Sequence, residues 1–174
     1  EEQLLHLATH DPLTGLCNRR QFGHLLERHL AEARRYERRG AVLWMDLDGF
    51  KEINDGLGHK VGDDLLASLA HRMRATVRDS DVLARLGGDE FAVLLPGTDR
   101  SAADKALARV RDILAIHNSR HGGTALSLSF GAATGDEGCT LAEIMREADN
   151  RMYREKLKKK AGSRNAGDQP ARWV

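Results

Sequence analysis

Three groups of residues carry chemistry that a folded chain does not need for its own sake. Gly87-Gly88-Asp89-Glu90 sets two glycines and two acids in a row, between the apolar runs Val82-Leu83-Ala84 and Phe91-Ala92-Val93-Leu94-Leu95. This predicts a hairpin whose turn carries charge. The glycines suffice for the turn, since they tolerate positive φ; the acids are surplus to it. Amides freed by Gly-Gly can approach a phosphate, and a neighbouring carboxylate can hold the metal that travels with it. The second group is Asp46 and Asp48, which end the run Ala41-Val42-Leu43-Trp44-Met45. The third is a basic cluster of Arg154, Lys156, Lys158, Lys159, Lys160 and Arg164. Alone, that cluster reads as a solvated face or a weak polyanion patch.

Elements must exist to position these groups. The run over 41–48 suits a central strand covered on both faces. Side chains alternate along a strand, so Asp46 and Asp48 share a face at its carboxyl end. The other reading of Asp46, an acid at a strand end facing water, is weaker because an apolar strand has no need of it. Before this strand, residues 1–10 look like the last turns of a helix that begins upstream, and Asp11 to Leu16 is a turn. Asn18 caps a helix over about 19–39, with Phe22, Leu25, Leu26 and Ala33 on its buried face. After the strand, residues 50–55 make a short helical turn, and Gly56, Gly58 and Gly62 mark a loop. A helix over about 63–78 carries Leu65, Leu66, Leu69, Ala70, Met73 and Val77 on one stripe. The hairpin follows, with strands near 82–86 and 91–95. A helix over about 101–117 leads to a turn at His121-Gly122-Gly123. Residues 125–133 alternate Leu126, Leu128 and Phe130 against Ser127 and Ser129, a half-covered strand. Thr140 to Glu143 is a capping box opening the last helix, and the polar tail beyond 161 frays. The order β-α-β-β-α-β-α is that of a split βαβ, ferredoxin-like sheet flanked by helices, an α+β arrangement. That topology lays the end of the first strand beside the hairpin, so Asp46 and Asp89 can meet.

Composition excludes several classes. The chain has 174 residues, 41% apolar and 30% charged, with net charge +1. It is long enough for one domain with a real core. No apolar run approaches the roughly 18–20 residues that span a bilayer, and the start lacks the basic and apolar regions of a signal peptide. The charge balance and 5% aromatic content argue against a nucleic-acid partner. Cys17 and Cys139 lack metal or redox spacing and read as free thiols in a reducing cytosol. His6 and His10, four apart, read as a solvated pair.

Arg85-Leu-Gly-Gly-Asp-Glu-Phe91 resembles the signature of GGDEF-domain diguanylate cyclases. Asp11-Pro-Leu-Thr-Gly-Leu-Cys-Asn-Arg-Arg20 resembles that family's opening motif. Asp46-Leu-Asp48-Gly-Phe50-Lys51-Glu-Ile-Asn54-Asp55 resembles its metal and guanine segment, continued by Gly58-His59-Lys-Val-Gly62-Asp63. The likeness runs over about 9–165. It implies a sheet of the kind shared by nucleotidyl cyclases and polymerase palms, and a domain over 11–165 with a disordered tail over 166–174. It implies a reaction joining two GTP into cyclic di-GMP with release of two pyrophosphates. Asp46, Asp89 and the Leu47 carbonyl are then the ligands of Mg²⁺, with Mn²⁺ as the alternative. Gly87 and Gly88 make room for phosphates. Glu90 either supports the metal or helps deprotonate the attacking hydroxyl, and the choice between Asp89 and Glu90 as base stays open. Asn54 and Asp63 read the guanine edge, since a carboxylate accepts from N1–H and N2–H₂ together; Asp63 also suits a helix cap. Phe50, Lys51 and His59 fall on the substrate side, with solvent exposure the competing reading for Lys51. Lys156 meets phosphate. The family's second basic residue follows four positions later, at Lys160, whereas Ser163-Arg164-Asn165 resembles its ending displaced by four. Helical spacing favours Lys160 over Arg164.

Arg78-Asp79-Ser80-Asp81 resembles the family's product-inhibition motif, with Arg109 as its secondary arginine; the bland reading is a charged helix end. The strand between puts that motif about 15–20 Å from the Gly-Gly turn at ~3.3 Å per residue. Bound product therefore cross-links domains rather than filling its own catalytic pocket. One GTP site per domain demands a homodimer with facing sites. The resemblance also implies an upstream sensory or dimerisation domain, a cytoplasmic location for this domain, and a parent whose membrane attachment is open. The rival readings are a silent receptor for cyclic di-GMP or GTP, which degenerate signature acids would mark, and another nucleotidyl cyclase or polymerase, against which the guanine segment argues.

Overall fold

The computed structural model describes residues 2–36, 39–120, 125–135 and 140–167. Ten elements follow one another: α1 (Glu2–Thr9), α2 (Arg19–Tyr36), β1 (Gly40–Asp48), α3 (Phe50–Leu57), α4 (His59–Arg74), β2 (Val82–Gly87), β3 (Glu90–Pro96), α5 (Arg100–Arg120), β4 (Ser127–Gly135) and α6 (Leu141–Gly167). The strands form one antiparallel sheet in the order β2-β3-β1-β4. This is the ferredoxin-like arrangement that the element order predicts.

Strand parity divides the core. Leu43, Met45 and Leu47 of β1 face Phe50, Ile53, Leu66, Leu69, Met73 and Val110 of α3, α4 and α5. Val42 and Trp44 face Phe22, Leu26 and Leu30 of α2, and Ile144, Ala148 and Met152 of α6. Asp46 and Asp48 continue this second face. This second face turns from apolar to charged at the carboxyl end of β1, while the first stays apolar through Leu47. On α6 the four-residue ladder Ile144, Ala148, Met152 does the same, for its next rungs are Lys156 and Lys160. The helix lies tight on β4: a Cβ at Gly131 would stand 1.8 Å from the Ala148 carbonyl oxygen.

Local signals account for most boundaries. Asn18 caps α2, its Oδ1 accepting from Gln21 N–H at 2.9 Å. Thr140 and Glu143 exchange the two bonds of a capping box, at 2.7 and 3.2 Å. Several expectations are corrected. Residues 50–57 form a full helix, and the break is at Gly58 alone, where α4 begins. Gly62 lies inside α4, not in a loop; it is small because a Cβ there would stand 1.9 Å from the Asn54 Oδ1 of α3, so that the two helices can meet. Asp63 is therefore a helix-interior residue and not a cap, and α4 ends at Arg74, before 78. The α6 helix runs past 161 to Gly167. Residues 168–174, the His121-Gly122-Gly123 turn and Cys139 lie outside the described residues. The serine face of β4 is not open: Ser129 is buried. Among the described residues no helix is long and apolar enough to cross a membrane.

Candidate functional site

The turn between β2 and β3 needs its glycines. Gly87 and Gly88 have φ of 155° and 37°, values that side chains resist, and the pairing slips between Arg85 and Gly87. The shift delivers Glu90 opposite Asp46 across β3 and β1. The Leu47 N–H donates to the Asp89 carbonyl at 3.1 Å, fastening the turn to the end of β1. Residues distant in sequence, Asp46, Asp89 and Glu90, thus gather at one sheet end.

Their electrostatics are those of a charged site held out of water. The Asp46 side chain is 11% exposed, and its Oδ1 is buried without a hydrogen-bond partner among the described residues. Lys156 Nζ stands 2.5 Å from its Oδ2. Burial, with the Asp89 carboxyl adding to it against the pull of Lys156, raises the Asp46 pKa to about 6. Burial and the Asp46 charge also raise that of Glu90. For Lys156, burial works against the charge, but the bond to Asp46 wins and its pKa rises. Asp48 behaves oppositely. Burial opposes its ionisation, yet donors outweigh it and hold its carboxyl low: Ser129 Oγ at 2.6 Å, Ser127 Oγ at 2.7 Å and Lys159 Nζ at 2.9 Å. Lys159 also donates to the Leu128 carbonyl. Asp48 is therefore saturated and ties β1, β4 and α6 together, while Asp46 retains an unused oxygen.

A cleft of about 450 Å³ opens here, lined by Leu47, Asp48, Phe50, Lys51, Glu52, Asp89, Ser127, Lys156, Lys159 and Lys160 among others. It collects most residues expected to meet substrate. Asn54, Asp63 and His59 are not in its lining; they sit at the α3–α4 junction. The Asn54 Oδ1 is buried there without a hydrogen-bond partner among the described residues, and both Asp63 and His59 are exposed. Arg164 lies in α6, but its side chain is outside what is described. The charge set fits a divalent cation: an unpartnered buried carboxylate oxygen, two further carboxyls, and a lysine neutralising part of their charge. Among the described residues, no three such side chains already stand in a metal-holding group.

Two arginines brace the turn, and sequence reasoning gave neither a role. Arg85 donates to the Gly88 carbonyl through Nε at 3.0 Å and Nη2 at 2.7 Å, and pairs with Asp11 at 3.1 Å. Burial disfavours the Asp11 charge, but Thr14 and Arg85 overcome it and its pKa falls. Arg19 donates from Nε to the Leu86 carbonyl at 3.0 Å and from Nη2 to Glu90 at 3.3 Å. The only available signal was position within the opening motif for Arg19 and the signature stretch for Arg85, which says nothing of partners 67 to 74 residues away. Cys17 pairs with β2 beside Ala84, and burial pushes its thiol pKa up, so it is not a poised nucleophile.

The Arg78-Asp79-Ser80-Asp81 stretch forms a second locus. The Arg78 N–H donates to Asp81 Oδ2 at 2.8 Å. Both residues line a hollow of about 270 Å³ with Arg74 and Cys17. Asp81 also borders a smaller recess with Arg109, so the three expected residues surround one turn.

The chain is matched over residues 8–162 by the family described as "Diguanylate cyclase, GGDEF domain". It is 46% identical over 160 residues to the bifunctional diguanylate cyclase/cyclic di-GMP phosphodiesterase MucR of Pseudomonas aeruginosa, covering 88% of this chain and 23% of that protein. It is 41% identical over 155 residues to the diguanylate cyclase TpbB of the same species, covering 86% and 35%. The chain thus spans about a quarter to a third of those relatives. Among solved structures, the coiled coil and GGDEF domain of DgcB from Caulobacter crescentus, in complex with c-di-GMP, superposes with a TM-score of 0.83 at 29% identity, covering 90% of this chain and 85% of that one. The diguanylate cyclase SiaD of Pseudomonas aeruginosa, in complex with its activator SiaC, also gives 0.83, at 32% identity and 90% and 61% coverage. With the signature turn and the opposed acids in place and the family's model matched over most of its length, this chain belongs to the diguanylate cyclase GGDEF-domain family.

Proposed function

We propose that the chain condenses two GTP into cyclic di-GMP as a metal-dependent cyclase. The observation that carries this reading is the buried acid of Asp46, set against Asp89 and Glu90 at the mouth of a lysine-lined cleft. In each half-reaction a 3′-hydroxyl oxygen bonds to the α-phosphorus of the other GTP, the bond to the pyrophosphate oxygen breaks, and the hydroxyl proton leaves. Asp46 and Glu90, opposed in register, are placed with the Leu47 carbonyl and Asp89 to hold Mg²⁺ or Mn²⁺. When bound, that cation neutralises phosphate charge and lowers the pKa of the attacking hydroxyl. Asp89 alone of the three carboxylates lines the cleft and is the one set to accept the proton. Lys156 and Lys160 neutralise the leaving pyrophosphate; Gly87 and Gly88 admit phosphates to the backbone. Phe50, Asn54 and Asp63 receive the base, with Lys51 and His59 at the rim.

One such site cannot close a symmetric product. Two copies facing each other, each presenting one GTP, form both phosphodiesters. An upstream segment continuing α1, whose Leu4, Leu5 and Leu7 are exposed, would hold them together. Product bound at Arg78, Asp81 and Arg109 would lock domains in an unproductive arrangement. The test is incubation of the purified chain with GTP and Mg²⁺ over a wide range of protein concentration, with product identified by mass spectrometry and Asp89→Ala as control. Cyclic di-GMP formed at a rate rising more than linearly with protein is expected. Nucleotide binding without product at every concentration would overturn the enzyme reading in favour of a receptor.

A further inference from the structure

Arg19 opens α2, where a cation faces the positive end of the helix dipole and is disfavoured. Its side chain is 61% exposed, so its ion pair adds little to stability. Neither propensity nor packing explains an arginine here, yet its guanidinium is committed in three directions. Nε donates to the Leu86 carbonyl at 3.0 Å, just before the two glycines. Nη2 reaches Glu90 Oε2 at 3.3 Å, just after them. The group lies 6.0 Å from the centroid of the Trp44 ring, on the β1 face that continues to Asp46. The helix end supplying Arg19 is itself fixed. Asn18 caps it and donates from Nδ2 to the Ala8 carbonyl of α1 at 3.0 Å.

We propose that Arg19 is a positioning residue of the reaction, holding both sides of the Gly87-Gly88 turn so that the Glu90 carboxylate stands toward Asp46 before metal and nucleotide arrive. This rests on the cyclase reading and deepens it. A guanidinium does this where an ammonium cannot, because its fixed fork spans a carbonyl and a carboxylate at once. Arg19→Met should lower kcat about 10- to 100-fold, the scale of a misplaced group near a reacting centre. KM for GTP should stay within about threefold, since Arg19 is not in the cleft lining. Arg19→Lys should recover only part of the loss, and added methylguanidinium should restore activity to Arg19→Met but not to Arg19→Lys. Arg28→Met, on the same helix in an exposed pair with Glu32, should behave as wild type.

A second readout needs no turnover. With unreactive 3′-deoxy-GTP, Mn²⁺ affinity measured by electron paramagnetic resonance should fall about tenfold in Arg19→Met, as when a ligand loses its supporting partner. Unchanged kcat in Arg19→Met, or a loss wholly in KM, would overturn the positioning role. If the wild-type chain makes no cyclic di-GMP, the cyclase reading falls. The Mn²⁺ measurement then still decides, and unchanged affinity in Arg19→Met overturns the proposal by itself.

Discussion

Replacing Asp46 by Asn should stabilise the metal-free protein while abolishing its function, and the gain should appear only as pH rises. The wild-type carboxyl has its pKa lifted from 3.8 to about 6 by burial, with Asp89 adding to it. Raised affinity for the proton means that the folded state favours the neutral acid. Below about pH 3.8 the group is protonated in both states and folding is not taxed. As pH climbs toward 6 the unfolded chain ionises freely and the folded chain resists, so stability is lost. Above 6 the full cost is present. At about 1.4 kcal/mol for each decade of proton affinity, the shift corresponds to about 3 kcal/mol. Asn has nearly the same shape and never ionises, but leaves Lys156 without its counter-charge. The expected net gain is therefore about 1–3 kcal/mol at pH 7.5, or about 2–4 °C of melting temperature per kcal/mol for a domain of this size. Thermal melts of both proteins in chelator, from pH 4 to pH 7.5, provide the test. The gap should be small at pH 4, open mostly between 4 and 6, and then level off. A gap independent of pH, or an Asn variant less stable at pH 7.5, would refute the claim that Asp46 stores unfavourable charge for a cation to relieve.

Two further outcomes separate the roles of Lys156, in the cleft, and of Asn54, beside it at the α3–α4 junction. Lys156→Met should tighten Mn²⁺ binding in the absence of nucleotide by about tenfold or more, since the repulsion of two unit charges at ~4 Å lies between about 1 kcal/mol in water and about 4 kcal/mol in a protein-like dielectric. The same change should weaken GTP binding, and opposite signs in the two titrations distinguish a shared counter-ion from a simple phosphate ligand. Gly62→Ala should lower GTP affinity about tenfold and cost about 1–3 kcal/mol of stability, because its Cβ would displace the Asn54 side chain from 1.9 Å away. GTP affinity unchanged by calorimetry would remove Asn54 from the guanine site.

What was legible in the sequence was whatever a residue declares through its near neighbours. The apolar run ending in acids, the Gly-Gly turn, the Asn18 cap and the Thr140–Glu143 box each depend on residues within a few positions, and each stands where the pattern places it. Gly62 misled because a glycine can mark a loop or a close approach, and only the position of Asn54 on the facing helix separates them. Ser127 and Ser129 alternate as an open strand face would, but their hydroxyls are donors to Asp48. Taken without the family pattern, Lys156 and Lys159 read as a solvated charge run, since their partners, Asp46 and Asp48, lie 110 and 111 residues away. Yet one regularity spans that distance. The β1 face changes from Val42 and Trp44 to Asp46 and Asp48, and the α6 ladder changes from Ala148 and Met152 to Lys156 and Lys160. A helix laid tight on the sheet at Gly131 must bring these two transitions into register: apolar rungs meet apolar residues, and the first basic rung meets the first acid. The same packing that buries the core therefore sets the charge of the cleft. A change that shifted α6 along the sheet by one turn would disable the site without touching any residue that lines it.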